Sequence, residues 1–366
     1  MTTLENPSSG RTPPSARSAE RVVGDPLRPI RIWLYGLAAF VIVILVVGGI
    51  TRLTESGLSI TTWRPVSGTI PPLNEAEWLA EFAAYQQIPQ FEAVHSWMSL
   101  DDFKFIFFWE WLHRVLGRVL GLLFIVPFIV FLVRRQLPRS LAWPLFGLFL
   151  LGGFQGFLGW WMVTSGLSDL ISVSQYRLAT HLCAAALLFM ALIYVPRRIT
   201  PGAAGGGVAR GDRGWAMALM ALIFLQIGAG GFVAGLDAGS GYNTWPLMDG
   251  QLIPNGLFVM QPAWSNLFEN ALTVQFIHRM LAYAIVLHVG VMLWRKWRRG
   301  ELEGVHAWLP RLAMLVLIQV ALGVWTLLTA VPISLAVGHQ TLAFMLGGAV
   351  IAYLADMQRS QAVAIR

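Results

Sequence analysis

Four of the seven histidines, His113, His181, His278 and His339, lie inside long apolar runs. An ionisable group in such a run is costly and usually functional. Each lies within about ten residues of one end of its run. At a rise of about 1.5 Å per residue, all four share one layer. Two neutral imidazoles on facing helices of a four-helix bundle are what a haem iron needs for ligation from both sides. Two such pairs give two haem sites. The neighbours are Trp, Phe, Leu and Gly, which suit a large planar apolar group. Zinc and copper sites use a compact cluster with carboxylate or thiolate help, and fit less well. The single Cys183 excludes an internal disulfide and any cysteine-based zinc or iron–sulfur centre. His95 and His306 lie in loops, and His288 has no matched partner. These three read as structural.

Few charges stand near the four histidines. Arg114 and Arg279 directly follow His113 and His278, and Arg177 lies one helical turn before His181. Haem carries two propionates, which arginines on the outer face could hold by charge-assisted bonds. The plainer alternative is that they snorkel to the interface. Glu110 lies three residues before His113, whereas Gln275 holds the corresponding place before His278. A carboxylate in one half and an amide in the other suggests that one site alone does proton chemistry. The alternative is that Glu110 orients His113.

The elements that carry these residues follow from composition. Of 366 residues, 56% are hydrophobic and 12% charged. Soluble domains are about 25% charged, so an ordinary soluble enzyme is excluded. Apolar runs near 32–52, 105–133, 143–163, 175–196, 214–236, 273–294, 309–329 and 335–356 each approach the ~20 residues a helix needs to cross a bilayer. They are too long and too uniformly apolar for barrel strands. The fold class is therefore an all-α integral membrane protein with eight transmembrane helices. Of the 26 basic residues, 19 fall in the N-terminal tail, the even-numbered loops and the C-terminal tail. This places both termini in the cytoplasm. The net charge of +7 is thus a topology signal, not a nucleic-acid footprint. No cleaved signal peptide is expected.

The chain reads as a duplication. Gly48-Gly49 leads to Glu55, Gly57 and Thr62-Trp63, and Gly230-Gly231 leads at the same spacing to Asp237, Gly239 and Thr244-Trp245. His113-Arg114 matches His278-Arg279, Gln155…Gly159…Trp161 matches Gln319…Gly323…Trp325, and His181 matches His339. The offset drifts from 182 to 165 to 158 residues, as loops of different length require. Four spans per half make this a parallel repeat. Glu55 and Asp237 read as capping the turns that follow the glycine pairs. The expected units are a disordered tail (1–31), an N-terminal four-helix half (32–196), a linker (197–213) holding the flexible stretch Pro201–Gly207, a C-terminal four-helix half (214–357) and a tail (358–366). The long Trp- and Pro-rich loops 53–103 and 237–272 are expected to cover the histidine layer.

Gly48-Gly-Ile-Thr-Arg-Leu-Thr-Glu-Ser-Gly-Leu-Ser59, Phe108-Trp-Glu-Trp-Leu-His-Arg114, Gly235-Leu-Asp-Ala-Gly-Ser-Gly-Tyr-Asn-Thr-Trp245 and Gln275-Phe-Ile-His-Arg279 resemble the haem A synthase family, in its alphaproteobacterial and mitochondrial branch. The resemblance runs from about residue 32 to 357. It implies conversion of haem O to haem A by two successive hydroxylations of a ring methyl and loss of water to leave a formyl group. It also implies that His278 and His339 are axial ligands of a haem b cofactor, and that His113 and His181 hold the substrate haem. Glu110 then matches the family's acidic residue, a candidate for proton transfer or for stabilising positive charge at the oxidised methyl. Some members carry a cysteine pair in the first outer loop, and residues 53–103 have none. Thiol-based electron entry is therefore unsupported, and the electron donor is unidentified. The family implies hand-over of haem O from its farnesyltransferase, at a bacterial inner membrane with the haem layer near the periplasmic face. The competing readings are a non-catalytic di-haem electron carrier, which leaves Glu110 unexplained, and a repeat transporter, which predicts helices broken at the midplane.

Overall fold

The structure is a computed structural model and describes residues 25–64, 67–168, 170–202 and 209–364, with side chains to 359. It contains α1 (Arg28–Leu53), α2 (Glu75–Tyr85), α3 (Leu100–Val133), α4 (Arg139–Thr164), α5 (Gln175–Arg198), α6 (Arg210–Gly235), α7 (Asn266–Glu269), α8 (Ala271–Arg298), α9 (Trp308–Leu328) and α10 (Ile333–Ala364). Among the described residues the only β feature is one bridge, Met248 to Gln251. All except α2 and α7 are long and apolar enough to cross a membrane, which makes eight spanning helices, as expected.

Several helices run beyond their apolar cores. α3 starts five residues before the run at 105 because Ser99 caps it. The Ser99 hydroxyl accepts from the Asp102 amide at 3.3 Å, and the Asp102 carboxylate accepts from the Ser99 amide at 3.0 Å. α1 begins at Arg28 with a proline in its first turn, so residues 28–31 are helix and not tail. Arg197 and Arg198 belong to α5 and 210–213 to α6, which shortens the expected linker to 199–209. α10 runs through the expected tail to Ala364. The N-terminal tail up to residue 24, and residues 203–208, which include most of the Pro201–Gly207 stretch, lie outside the described residues.

Pro127 inside α3 cannot donate to the Leu123 carbonyl. The indole N–H of Trp33 on α1 donates to that carbonyl instead, at 2.8 Å, and ties the two helices. α1 packs against α3 and α5, and α4 packs against α3 and α5, so these four close a ring. α6, α8, α9 and α10 close a second ring in the same pattern. The rings meet through α5 with α6, α1 with α10, and α5 with α10.

The second glycine of each pair sits at this junction. A Cβ on Gly49 would lie 3.3 Å from Val337 and 3.2 Å from Gln340 on α10. A Cβ on Gly231 would lie 2.8 Å from the backbone of Ala179 and 3.5 Å from Leu182 on α5. These contacts are mutual counterparts in the repeat numbering. Both helices then end in the same left-handed turn: Glu55 (φ 54°) and Asp237 (φ 49°) let Ser56 donate to Thr51 and Ala238 to Val233.

The two long loops differ. The first folds α2 onto α3 over an aromatic core of Tyr85, Phe103 and Phe107 with Leu58 and Met98. The second has only a small core of Met248, Leu257 and Leu272. At the opposite end of the bundle, Arg197 makes a two-pronged pair with buried Asp356 at 2.7 and 2.6 Å. Lys296 there bonds Asp212 at 2.7 Å and Glu301 at 2.6 Å.

Candidate haem-binding histidine pairs

His181 and His339 are the seventh residues of α5 and α10, and His278 is the eighth of α8. His113 is the fourteenth of α3, because that helix starts outside its apolar run. Each imidazole lies against a glycine on the next helix. A Cβ on Gly48 would stand 2.7 Å from His113, on Gly159 3.1 Å from His181, on Gly230 3.3 Å from His278, and on Gly323 2.6 Å from His339. At Gly48 and Gly323 a side chain would displace the ring, and at Gly159 and Gly230 it would press on it. The rings of His278 and His339 lie 6.4 Å apart, centre to centre.

The sequence reading missed part of what fixes these rings. Gln155 on α4 donates to the His181 carbonyl at 2.9 Å, with the same nitrogen 3.1 Å from ring Nδ1. Gln319 on α9 repeats this at His339, at 2.9 and 3.2 Å. Gln226 on α6 donates to the His278 carbonyl at 3.1 Å and lies 3.2 Å from ring Nε2. Each glutamine stands four residues before the glycine that faces its histidine. Gln155 and Gln319 were visible as repeat positions, but Gln226 was not. The position matching it in the N-terminal half is Ile44. The signal that could have found this set is the Gln-x-x-x-Gly spacing, present in α4, α6 and α9 and replaced by Ile-x-x-x-Gly in α1.

One turn toward the long loops, each half has a latch. Buried Glu110 accepts from Arg114 at 2.6 Å, from the Ser59 hydroxyl at 2.8 Å and from the Ile60 amide at 2.8 Å. Arg114 also donates to the carbonyls of Ile60 and Thr62, at 2.9 and 3.3 Å. Arg279 does the same to Tyr242 and Thr244, at 2.8 and 2.9 Å, and donates to Gln275 at 3.0 Å. Buried Gln275 reverses the polarity and donates to the carbonyls of Ala238 at 2.7 Å and Gly241 at 2.8 Å. Glu110, Gln275, Arg114 and Arg279 thus bind each loop to its helix. Arg279 keeps a buried Nε without a hydrogen-bond partner. Arg177 lies over the Trp161 ring at 4.7 Å and donates to the Trp161 carbonyl at 2.6 Å.

The other histidines are held by local partners. His288 stacks on Trp215 with ring centres 4.9 Å apart, and buried His306 bonds Tyr353 at 3.1 Å. Buried His95 bonds the Tyr85 hydroxyl at 2.6 Å and lies 3.5 Å from Glu55. Burial pushes its pKa below the usual histidine value, and the Glu55 charge only partly opposes this.

Among the described residues no three His, Cys, Asp or Glu side chains converge on a metal position. The donors come in pairs on facing helices, and buried ring nitrogens Nδ1 of His113 and His278 lack hydrogen-bond partners. Paired imidazoles backed by glycine fit a flat bis-histidine haem.

The fold defines a multi-pass α-helical membrane protein. Its residues 31–351 match the family model COX15-CtaA, cytochrome oxidase assembly protein, and the chain belongs to that family. It is 50% identical over 339 residues to a protein of Azorhizobium caulinodans named heme A synthase, covering 92% of this chain and 96% of that one. A protein of the same name from Parvibaculum lavamentivorans is 51% identical over 324 residues, 87% of this chain and 91% of its own. The one from Rhodospirillum centenum is 48% identical over 340 residues, 92% and 90% of the two chains.

Proposed function

We propose that the chain is a membrane-bound haem A synthase, an oxidoreductase that converts haem O to haem A for cytochrome oxidase. Two successive hydroxylations of one porphyrin methyl and loss of water leave the formyl group. The observation that carries this reading is the two glycine-backed histidine pairs in a chain of this family. The two four-helix halves are copies of one unit. His278 and His339 hold haem b, and His113 and His181 hold the substrate. Haem b, when bound, supplies the one-electron chemistry that side chains lack.

The chain's own residues position and stabilise. The glycines admit the imidazoles and the latches close the loops over them. The lone pairs of Glu110 are engaged by three donors, which supports fixed negative charge beside the reacting methyl over proton shuttling. Arg279, with its free Nε–H, and Arg114 and Arg177 beside the rings are donors for haem propionates. The protein sits in the inner membrane with both termini cytoplasmic and the histidine layer near the periplasmic face. Haem O comes from its farnesyltransferase, and a separate donor supplies electrons.

The test is to purify the protein from cells that make haem O and extract its haem. Haem b together with haem A or haem O is expected. Haem b alone would favour the electron carrier, and no haem the transporter. Glu110→Gln should lower haem A formation while haem b is retained; normal haem A formation would end the proposed role of Glu110.

A further inference from the structure

Open space is not shared equally by the two helix rings. On α3, Gly117 and Gly121 continue the stripe of His113, one and two turns deeper. On α4, Gly156 and Gly152 continue the stripe of Gly159, which faces His181, over the same depth. A Cβ on any of these four glycines would meet no neighbouring atom within 4 Å. The seam they line runs inward from the histidine layer until the rings of Phe124 and Phe149 meet, 5.8 Å apart, and close it. At the α-helical rise, His113 and Phe124 are about 16 Å apart along α3. Gly117 and Gly156 are exposed, so the seam also opens sideways, to the lipid side of the bundle. In the C-terminal half the matched positions are Ala282, Val286, Val320 and Val316. Val316 is part of the buried core and Val286 packs against it. α8 and α9 accordingly meet over more of their surfaces than α3 and α4 do.

We propose that this seam is the binding groove for the farnesyl tail of haem O, and that the larger side chains at the matched positions keep that tail out of the C-terminal half. This rests on the reading above, in which the N-terminal pair takes the substrate and the C-terminal pair haem b. Haem O differs from haem b in one ring substituent, a hydroxylated farnesyl chain in place of a vinyl group. A pair of histidines reads the iron and the macrocycle, which the two haems share. Discrimination then has to come from the space beside the ring, and that space is where the halves differ. The tail is apolar, and facing glycines leave the room that a methyl-branched carbon chain fills. Between Gly152 and Gly156, the Oε1 atom of Gln155 is buried without a hydrogen-bond partner. It is an acceptor, at the head of the groove, for the hydroxyl beside which the tail joins the ring. Gln319 keeps the same free oxygen, so the choice between the haems rests on the groove and not on that bond. The lateral opening lets the tail slide in from the bilayer with no helix unwound.

The experiment titrates the purified full-length protein, with its resident haem, with haem O and in parallel with haem b as the tail-less probe. Binding is read from the Soret band and from the haem extracted after gel filtration. Gly121→Val combined with Gly152→Val puts the valines of the C-terminal half into the groove. Haem O should then bind about 10–100-fold more weakly, the cost of overpacking, while added haem b keeps its wild-type affinity. Gly156→Ala should give a smaller loss. Gly147→Val, at an equally open glycine of α4 that lies off the stripe, should change neither. If the double variant does not fold, Gly156→Val, at an exposed position, takes its place. Wild-type affinity for haem O in the filled variant would overturn the groove. Equal weakening of haem O and haem b would also overturn it, because the glycines would then serve the macrocycle and not the tail. His113→Ala tests the assignment of the halves separately and should abolish binding of added haem O. Unchanged binding in that variant would overturn the assignment, and the groove with it.

Discussion

The two halves share a helix ring, a glycine behind each histidine and an arginine that ties loop carbonyls to the helix. They differ in three places. The latch is wired with donors facing Glu110 in one half and carbonyls facing Gln275 in the other. The glutamine that bonds the carbonyl of each of the other three histidines is replaced at His113 by Ile44. The first loop carries α2 and an aromatic core, whereas the second carries neither. The shared parts are what any pair of imidazoles between helices needs. On the proposed reading, the differences mark where two sites of one design came to do different work.

The largest effect expected from breaking the comparison is at the ligands. His278→Ala or His339→Ala should remove the haem b signal from the reduced-minus-oxidised spectrum. His113→Ala should leave that signal and abolish haem A formation. If all three variants lose haem b equally, the halves are not separate sites.

Next comes the wiring of the latches. Gln275→Glu puts a carboxylate against two carbonyls and leaves both without a donor. Each costs about 1–3 kcal/mol. The apparent unfolding temperature in detergent should fall. Gln275→Met, which removes the donor but adds no charge, should cost less. An unchanged midpoint for Gln275→Glu would mean that the loop does not depend on this latch.

The glycines give a graded series. Gly323→Ala and Gly48→Ala place a methyl 2.6 and 2.7 Å from an imidazole, whereas Gly159→Ala and Gly230→Ala meet theirs at 3.1 and 3.3 Å. Overpacking of this kind costs about 1–3 kcal/mol. Haem content in the C-terminal pair should fall more for Gly323→Ala than for Gly230→Ala. Equal losses would show that the contact is not what sets the ring.

Much of this was legible in the sequence. Hydropathy gave the eight spans; depth and the lack of a repeat partner set His288 apart, and loop position set His95 and His306 apart, from the four histidines that lie against glycines. Helix ends were less legible, because α3 is started by a side-chain cap at Ser99 and not by its apolar pattern. α2 was hidden for a related reason: its apolar face is matched to aromatic residues at the start of α3, not to a bilayer. The latches could not be read, since the partners of Arg114 and Arg279 are backbone carbonyls, which any residue type can supply. Gln226 was missed because its counterpart is Ile44, so a comparison seeking likeness between the halves passed over the position where they differ.

The smallest expected effect separates the two loops by pH. His95, buried in the first loop between Tyr85 and Glu55, has a pKa held below its ordinary value of about 6.5, so folding favours the neutral ring. A depressed histidine contributes stability that is present above its unfolded pKa and is lost as pH falls through the folded value. Acidification from pH 7 to below 6 should therefore loosen the first loop. The loss should be modest, because the nearby Glu55 charge favours the protonated ring and offsets part of the burial cost. Hydrogen exchange at the amides of α2 should rise over that range, while amides of the second loop, which contains no histidine, should not follow. His95→Gln keeps a polar partner for Tyr85 and cannot titrate, so it should flatten the pH response. If α2 exchange in that variant still rises below pH 6, the acid sensitivity belongs to another group, and the difference between the loops lies in packing alone.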